Sequence, residues 1–161
     1  MKRFLIVFIN LLFVLLITSG CENAVEKELV EYANNSAYKI DHERFEMVEK
    51  VNKAIDDENV SAADFVILLE GEIIPRFEQL RLKLSSMELK TKEVRELNDI
   101  FIKTFVAYTV FYEYSALASK SDADPELKIK VTKSSSEADH LWDLWFRERQ
   151  TLLEKFGYST D

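Results

Sequence analysis

Cysteine is nearly absent from this chain: of 161 residues, Cys21 is the single one. No internal disulfide, no C-x-x-C redox pair and no thiolate metal cluster can form, so a stable fold must rest on a packed core. Glycine and proline are almost as scarce, with Gly20, Gly71, Gly157, Pro75 and Pro125 making up the whole set. A β-rich domain needs turn residues every few positions, and a phosphate-cradling loop needs clustered glycines; this composition provides neither. The nucleophile elbow, the zincin helix, the P-loop and the dinucleotide fingerprint are all missing. Basic residues are outnumbered, leaving a formal charge of −8. That balance argues against nucleic acid as a partner, because phosphate backbones are held by clustered lysine and arginine.

What recurs instead is the helical step. Phe65, Leu69, Ile73, Phe77, Leu80, Leu84 and Met87 follow one another three or four residues apart, as one face of a helix does. Val94, Leu97, Phe101, Phe105, Tyr108 and Tyr112 repeat the pattern, as do Leu127, Val131, Ser134, Ala138, Leu141, Trp145, Leu152 and Phe156. A shorter stripe comprises Tyr38, Phe45, Val48, Val51 and Ile55. The breaks carry cap chemistry. Ser61 with Asp64 fits a capping box, Thr91 fits an N-cap, and Asp124-Pro125-Glu126 places an acceptor, a proline and an acid at a helix start. Gly157 reads as a helix stop. The predicted fold class is all-α: an up-down-up-down four-helix bundle over residues 36–157, with 158–161 as a C-terminal tail. Residues 21–35 form either a partly helical tether or an extension of the first helix, since Val25, Leu29, Tyr32 and Ser36 also keep helical spacing.

Three places invite a search for chemistry. Glu137 and His140 share a helical face, as in di-metal bundles that resemble ferritin, yet the other histidine, His42, has Lys39 where the second glutamate belongs. A surface acid beside a boundary histidine is the expected outcome, and a metal or haem site using both histidines is the alternative. Phe101, Phe105, Tyr108, Phe111, Tyr112 and Tyr114, with Trp142, Trp145 and Phe146, supply either a core or the walls of an apolar groove. Pro75, four residues after Gly71, should disturb its helix where glycine can yield. None of these yields a catalytic residue, a metal ligand set or a cofactor.

The N-terminus is the most specific segment. Met1-Lys2-Arg3 precedes an apolar run from Phe4 to Ile17, and Leu15-Leu16-Ile17-Thr18-Ser19-Gly20-Cys21 closes it. Fourteen residues interrupted by Asn10 fall short of the roughly 20 that span a bilayer. The segment resembles the signal peptide of bacterial lipoproteins, with Thr18 where leucine is usual. The resemblance implies a signal peptide over 1–20, cleavage between Gly20 and Cys21, and lipidation of Cys21, after which residues 21–35 become a lipidated tether. The charge would then be −10, since Lys2 and Arg3 depart with the signal. The remainder, through its helical layout and Leu69-Glu70-Gly71-Glu72-Ile73-Ile74-Pro75, is similar to small helical envelope lipoproteins of unassigned function. The expectation is a non-catalytic binding or envelope accessory module without cofactor. It would be held on the extracytoplasmic face of the cell membrane through Cys21, with an envelope protein as a further partner. The alternative is a bundle that binds a metal, haem or small apolar ligand in its core.

Overall fold

Helical periodicity becomes four rods, with no strand, among residues 23–121 and 124–159, the ones the computed structural model describes. The predicted cleavage and lipidation positions, Gly20 and Cys21, lie outside the described residues. Helix α1 covers residues 23–56 and passes through one wide, π-type stretch at Tyr32–Ala37. Helix α2 covers residues 62–85 with a second such stretch at Leu69–Ile73. Helices α3, Lys92–Lys120, and α4, Pro125–Lys155, run without interruption.

Most boundaries are local chemistry. Ser61 accepts from the Asp64 amide while the Asp64 carboxylate accepts from the Ser61 amide, so both halves of the capping box are made. Asp124 accepts from the Glu126 amide ahead of Pro125. Gly157 adopts φ of 82°, and the Gly157 and Tyr158 amides return to the carbonyls of Glu154 and Leu153, a left-handed stop that suits glycine. Thr91 departs from expectation, for its side chain caps nothing. The cap is supplied from α1: the Glu28 carboxylate accepts from the amides of Lys90 and Thr91, at 2.6 and 2.7 Å, and from the Thr91 hydroxyl. An acid from a distant helix thus sits at the positive end of α3.

The α2, α3 and α4 stripes face inward as predicted, from Leu69 to Leu84, from Val94 to Tyr112 and at Ser134, Ala138 and Trp145. The α1 stripe needs correction. Tyr38, Phe45 and Ile55 are 62%, 53% and 62% exposed, and the buried face is Leu29, Ala33, Ala37, Ile40, Arg44, Met47 and Val51. An arginine in the middle of that face hides it from an apolar-period count. Leu29 and Tyr32 are 0% and 2% exposed, so residues 23–35 extend α1 into the core and are not a free tether. At Pro75 the disturbance takes the form of the wide turn just before it, where the Ile74 amide reaches back five residues to the Leu69 carbonyl. The helix continues through the proline because that turn shifts the register in which the ring would clash.

Ring contacts join the rods. Phe77 of α2 lies 5.5, 5.4 and 5.3 Å from the rings of Phe105, Tyr108 and Tyr112 of α3, and Trp145 of α4 stacks on Phe101 at 3.9 Å. Each such pair adds about 0.5–1.5 kcal/mol beyond its buried area. Asn98, buried on α3, ties three helices: it accepts from the Tyr32 hydroxyl at 3.2 Å and donates to the Leu84 carbonyl at 3.1 Å, near the end of α2. Across α1 and α2, Glu43 pairs with Arg76 and Lys83, and Lys50 pairs with Glu72. Half-exposed pairs of this kind contribute under about 1 kcal/mol each, so they align the helices more than they bind them.

Two stability outcomes follow. Burial raises the Glu28 pKa, but its hydrogen bonds with Thr91 and Lys90 outweigh this and lower it on balance. A lowered carboxylate stabilises the fold above its unfolded pKa, and the benefit disappears as pH falls through the folded value. Glu28→Ala should therefore cost about 1 kcal/mol at pH 7, the usual value of an N-cap, and the gap from wild type should close in acid, read from urea midpoints. Gly71 has nothing within 4 Å of the position a Cβ would take. Gly71→Ala should accordingly stabilise by about 0.5–1 kcal/mol through lost chain entropy, whereas a helix that depends on glycine's freedom there would lose stability in the same thermal melt.

Candidate functional site

The most unusual chemistry lies where α1 meets α4. Arg44, spaced four residues from Ile40 on the inward face of α1, is 7% exposed. Its Nε donates to Asp41 Oδ1 at 2.8 Å, and Trp142 Nε1 donates to the same oxygen at 3.3 Å. The guanidinium lies over the Trp142 ring at 4.8 Å and faces the Tyr108 ring at 5.8 Å. Tyr108 in turn donates to Asp139 Oδ1 at 3.2 Å. Helical spacing continues the stack along α4: Trp142 packs on Phe146 at 5.4 Å, and the Arg149 guanidinium sits 5.0 Å from Phe146 and 4.8 Å from Trp145. Trp145 on Phe101 closes the series.

Burying a guanidinium costs several kcal/mol unless its charge is matched. Asp41 matches Arg44 directly, and two ring faces each add about 0.5–2 kcal/mol. Arg149 is less well served. Burial lowers its pKa, which Asp41 and Tyr32 partly oppose, and Arg149 Nε is buried without a hydrogen-bond partner. The ring faces around Arg149 stand where acceptors would be. The arrangement seats α1 on α4 in one register. It places no general base beside a nucleophile, and its tyrosines are held protonated: burial pushes Tyr108 up to about 12 and raises Tyr32 and Tyr112 further.

The residues singled out from sequence are not brought together. His42 is exposed, 3.5 Å from Glu46 and stacked on Tyr38. Glu137 and His140 are exposed on the outer face of α4, along a shallow groove with Lys128, Ile129 and Thr132. Both histidines face solvent, so they do not converge on the core, and among the described residues no group of three histidine, cysteine or carboxylate side chains could hold a metal ion. Of the nine aromatics, Phe101, Phe105, Tyr108, Tyr112 and Trp145 are buried and the other four half-buried, so they chiefly fill the core, while Phe111 and Tyr112 also line a small cleft.

Two clefts at opposite ends of the rods were not anticipated. One, of about 570 Å³, lies between the start of α1 and the loop before α3 and is lined by Lys27, Glu28, Glu31, Tyr32, Met87 and Lys90. The other, of about 260 Å³ and largely apolar, draws on all four helices: Val51 and Ile55 of α1, Phe65 of α2, Phe111 and Tyr112 of α3, and Val131 of α4. Its sequence signal was modest, for these residues stand at the ends of the apolar stripes, where each stripe outlasts the core. Among the described residues no helix is long and apolar enough to cross a membrane. No family model, no curated protein and no solved structure matches the chain.

The tyrosines set an alkaline limit. An acid whose pKa is raised by folding favours the native state below its unfolded value, and that contribution disappears as pH rises through the folded value. With an ordinary value of 10.0 and Tyr108 near 12, the native state should lose stability progressively above pH ~10. Absorbance at 295 nm should then show Tyr32, Tyr108 and Tyr112 ionising together with loss of helix by circular dichroism.

Proposed function

We propose that this chain is a lipid-anchored module of the extracytoplasmic face, which acts without catalysis by docking a protein partner in the cell envelope. The observation that carries the reading is the register between Cys21 and the fold. Helix is present by residue 23, Glu28 is clamped to the α3 start and Leu29 is buried. A diacylglyceryl thioether on Cys21 would join the bilayer to the bundle through about two residues. Each buried methylene contributes ~0.8 kcal/mol, so two or three acyl chains suffice as anchor. The formal net charge of −8 repels anionic surfaces, which suits anchoring by lipid instead of by basic residues.

The topology belongs to the same proposal. Contacts between α1 and α2 (Lys50 with Glu72, Glu43 with Lys83), α2 and α3 (Leu84 with Asn98, Glu70 with Lys120), and α3 and α4 (Phe101 with Trp145, Tyr114 with Lys130) all pair rising with falling residue numbers. That pattern supports an up-down-up-down bundle with the start of α1 and the end of α4 at one pole, where Tyr158 donates to Glu26. Of the alternative, a metal, haem or small apolar ligand in the core, the exposed histidines give the metal and haem forms no support.

Cells expressing the full chain should incorporate labelled palmitate, and the processed protein should fractionate with membranes. Cys21→Ala should abolish labelling and the mobility shift of processing. Labelling that persists in Cys21→Ala would reject the anchor.

A further inference from the structure

We infer that the cleft at the pole remote from residue 23 is a binding site for a small, uncharged apolar molecule, a hydrocarbon of about ten carbons. The inference goes beyond the docking reading above and takes nothing from the anchor. The cleft measures about 260 Å³ and is lined by all four helices, the kind of place where bundles build ligand sites. Its floor lies in the core, at Val51 and Tyr112, which are 3% and 2% exposed, and its mouth is at Ile55, 62% exposed. An occupant therefore reaches below the surface, which separates this cleft from the shallow groove on the outer face of α4. The volume follows from a change of side-chain size along α3. Rings face inward as far as Tyr112, and Phe77 packed on them sets the spacing of α2 from α3. Beyond Tyr112 the cleft meets Ser115, Ala118 and Ser119, too small to fill that spacing.

The walls select the occupant. No lining residue is charged at neutral pH, so an ion entering the cleft would give up water and meet no counter-charge. The cleft at the opposite pole differs, for lysines and glutamates both stand on its walls. Hydrogen bonding is equally unavailable to a polar ligand. The Ser115 and Ser119 hydroxyls donate to the carbonyls of Phe111 and Ser115, at 2.8 and 2.9 Å, so their protons are already committed to their own helix. Water there finds few partners for the same reason, and an apolar molecule gains by displacing it. Size sets the limit. A cavity of roughly 150 Å³ takes benzene, and at the same volume per carbon 260 Å³ takes about ten carbons. Phe65 and Phe111, both half-buried, offer ring faces to such a molecule, and Val51 and Val131 offer methyl groups.

The test titrates naphthalene into the processed full chain in phosphatidylcholine nanodiscs, with methyl NMR of isoleucine and valine as readout and empty nanodiscs to fix the free naphthalene concentration. The methyl signals of Val51, Ile55 and Val131 should shift and saturate together, while those of Ile67 and Ile129, exposed away from the cleft, should stay in place. The carboxylate and aminomethyl derivatives of naphthalene, both ionised at pH 7, should need at least tenfold higher concentrations. Ala118→Phe should fill the cleft and weaken the naphthalene response at least tenfold with unchanged circular dichroism. Ser119→Leu, a smaller filling, should act in the same direction and serves if the first variant fails to fold. Absence of a response at Val51, equal shifts at all exposed methyl groups, equal binding of the ionised derivatives, or a response untouched by the filling variants would overturn the inference. Val51 shifts that depend on protein concentration without naphthalene would also overturn it, by assigning the cleft to a second copy.

Discussion

Phe77 is the constraint on which the rest of the molecule depends. In a chain that can form no disulfide, helices are held only by what they bury, and this one ring, fully buried on α2, touches three aromatic rings of α3. Trp145 makes the matching contact from α4 on Phe101. Helix α3 is therefore the centre to which the others attach, and its composition fits that place. Beyond its aromatic stripe it buries Ala107, Ala116, Thr104 and Thr109, and both threonine hydroxyls donate to carbonyls four residues back, which satisfies them without a partner helix. A helix apolar around most of its circumference needs neighbours on several sides, and the contacts of α3 with α2 and α4 supply them.

The polar groups inside follow from the same packing. Arg44 enters the core only because Tyr108, whose position Phe77 fixes, and Trp142 offer it ring faces while Asp41 offers a carboxylate. Such a buried pair roughly balances its own desolvation, so its effect lies in choosing one seating of α1 over others, since a shifted α1 would leave the guanidinium unmatched. Asn98 acts in the same way, for Tyr32 and the Leu84 carbonyl satisfy it in one arrangement of three helices. Apolar contacts supply the adhesion, and the buried polar contacts fix the register.

This division explains which features could be read from sequence. Three of the four apolar stripes were legible because their period is unbroken, and the Ser61 box, the Asp124 cap and the Gly157 stop were legible because each is completed within a few residues. The inner face of α1 was not. Arg44 interrupts its apolar count, the wide turn at Tyr32–Ala37 shifts its phase, and exposed Tyr38 and Phe45 mimic a core stripe on the wrong side. Thr91 misled for a related reason: it has the right residue type for a cap, but the acceptor that closes α3 comes from Glu28, and local rules carry no information about a partner that distant in sequence. The candidate site divides likewise. The histidines, read as edge residues, lie further out, exposed to solvent, whereas the α1–α4 seam and the distal cleft arise from juxtapositions that no spacing encodes.

The two poles of the rods differ in how their helix ends are closed, and that difference bears on function. Near residue 23 the local Gly157 stop is joined by long-range bonds: Glu28 caps α3, Tyr158 donates to Glu26, and Asn98 donates to the Leu84 carbonyl. Bonds that cross between elements bind that pole into a unit. At the far pole the caps are local, with Ser61 and Asp64, Asp57 and Asn59, and Asp124 and Glu126 each serving its own turn. Local caps complete the backbone but draw no chain across the space between the helices, so the apolar residues there keep part of their surface. Burial of that surface by a partner would release its hydration at little ordering cost, because the backbone around it is already fixed. Bonds between elements at one end and local caps at the other are the asymmetry that this distribution of polar groups imposes.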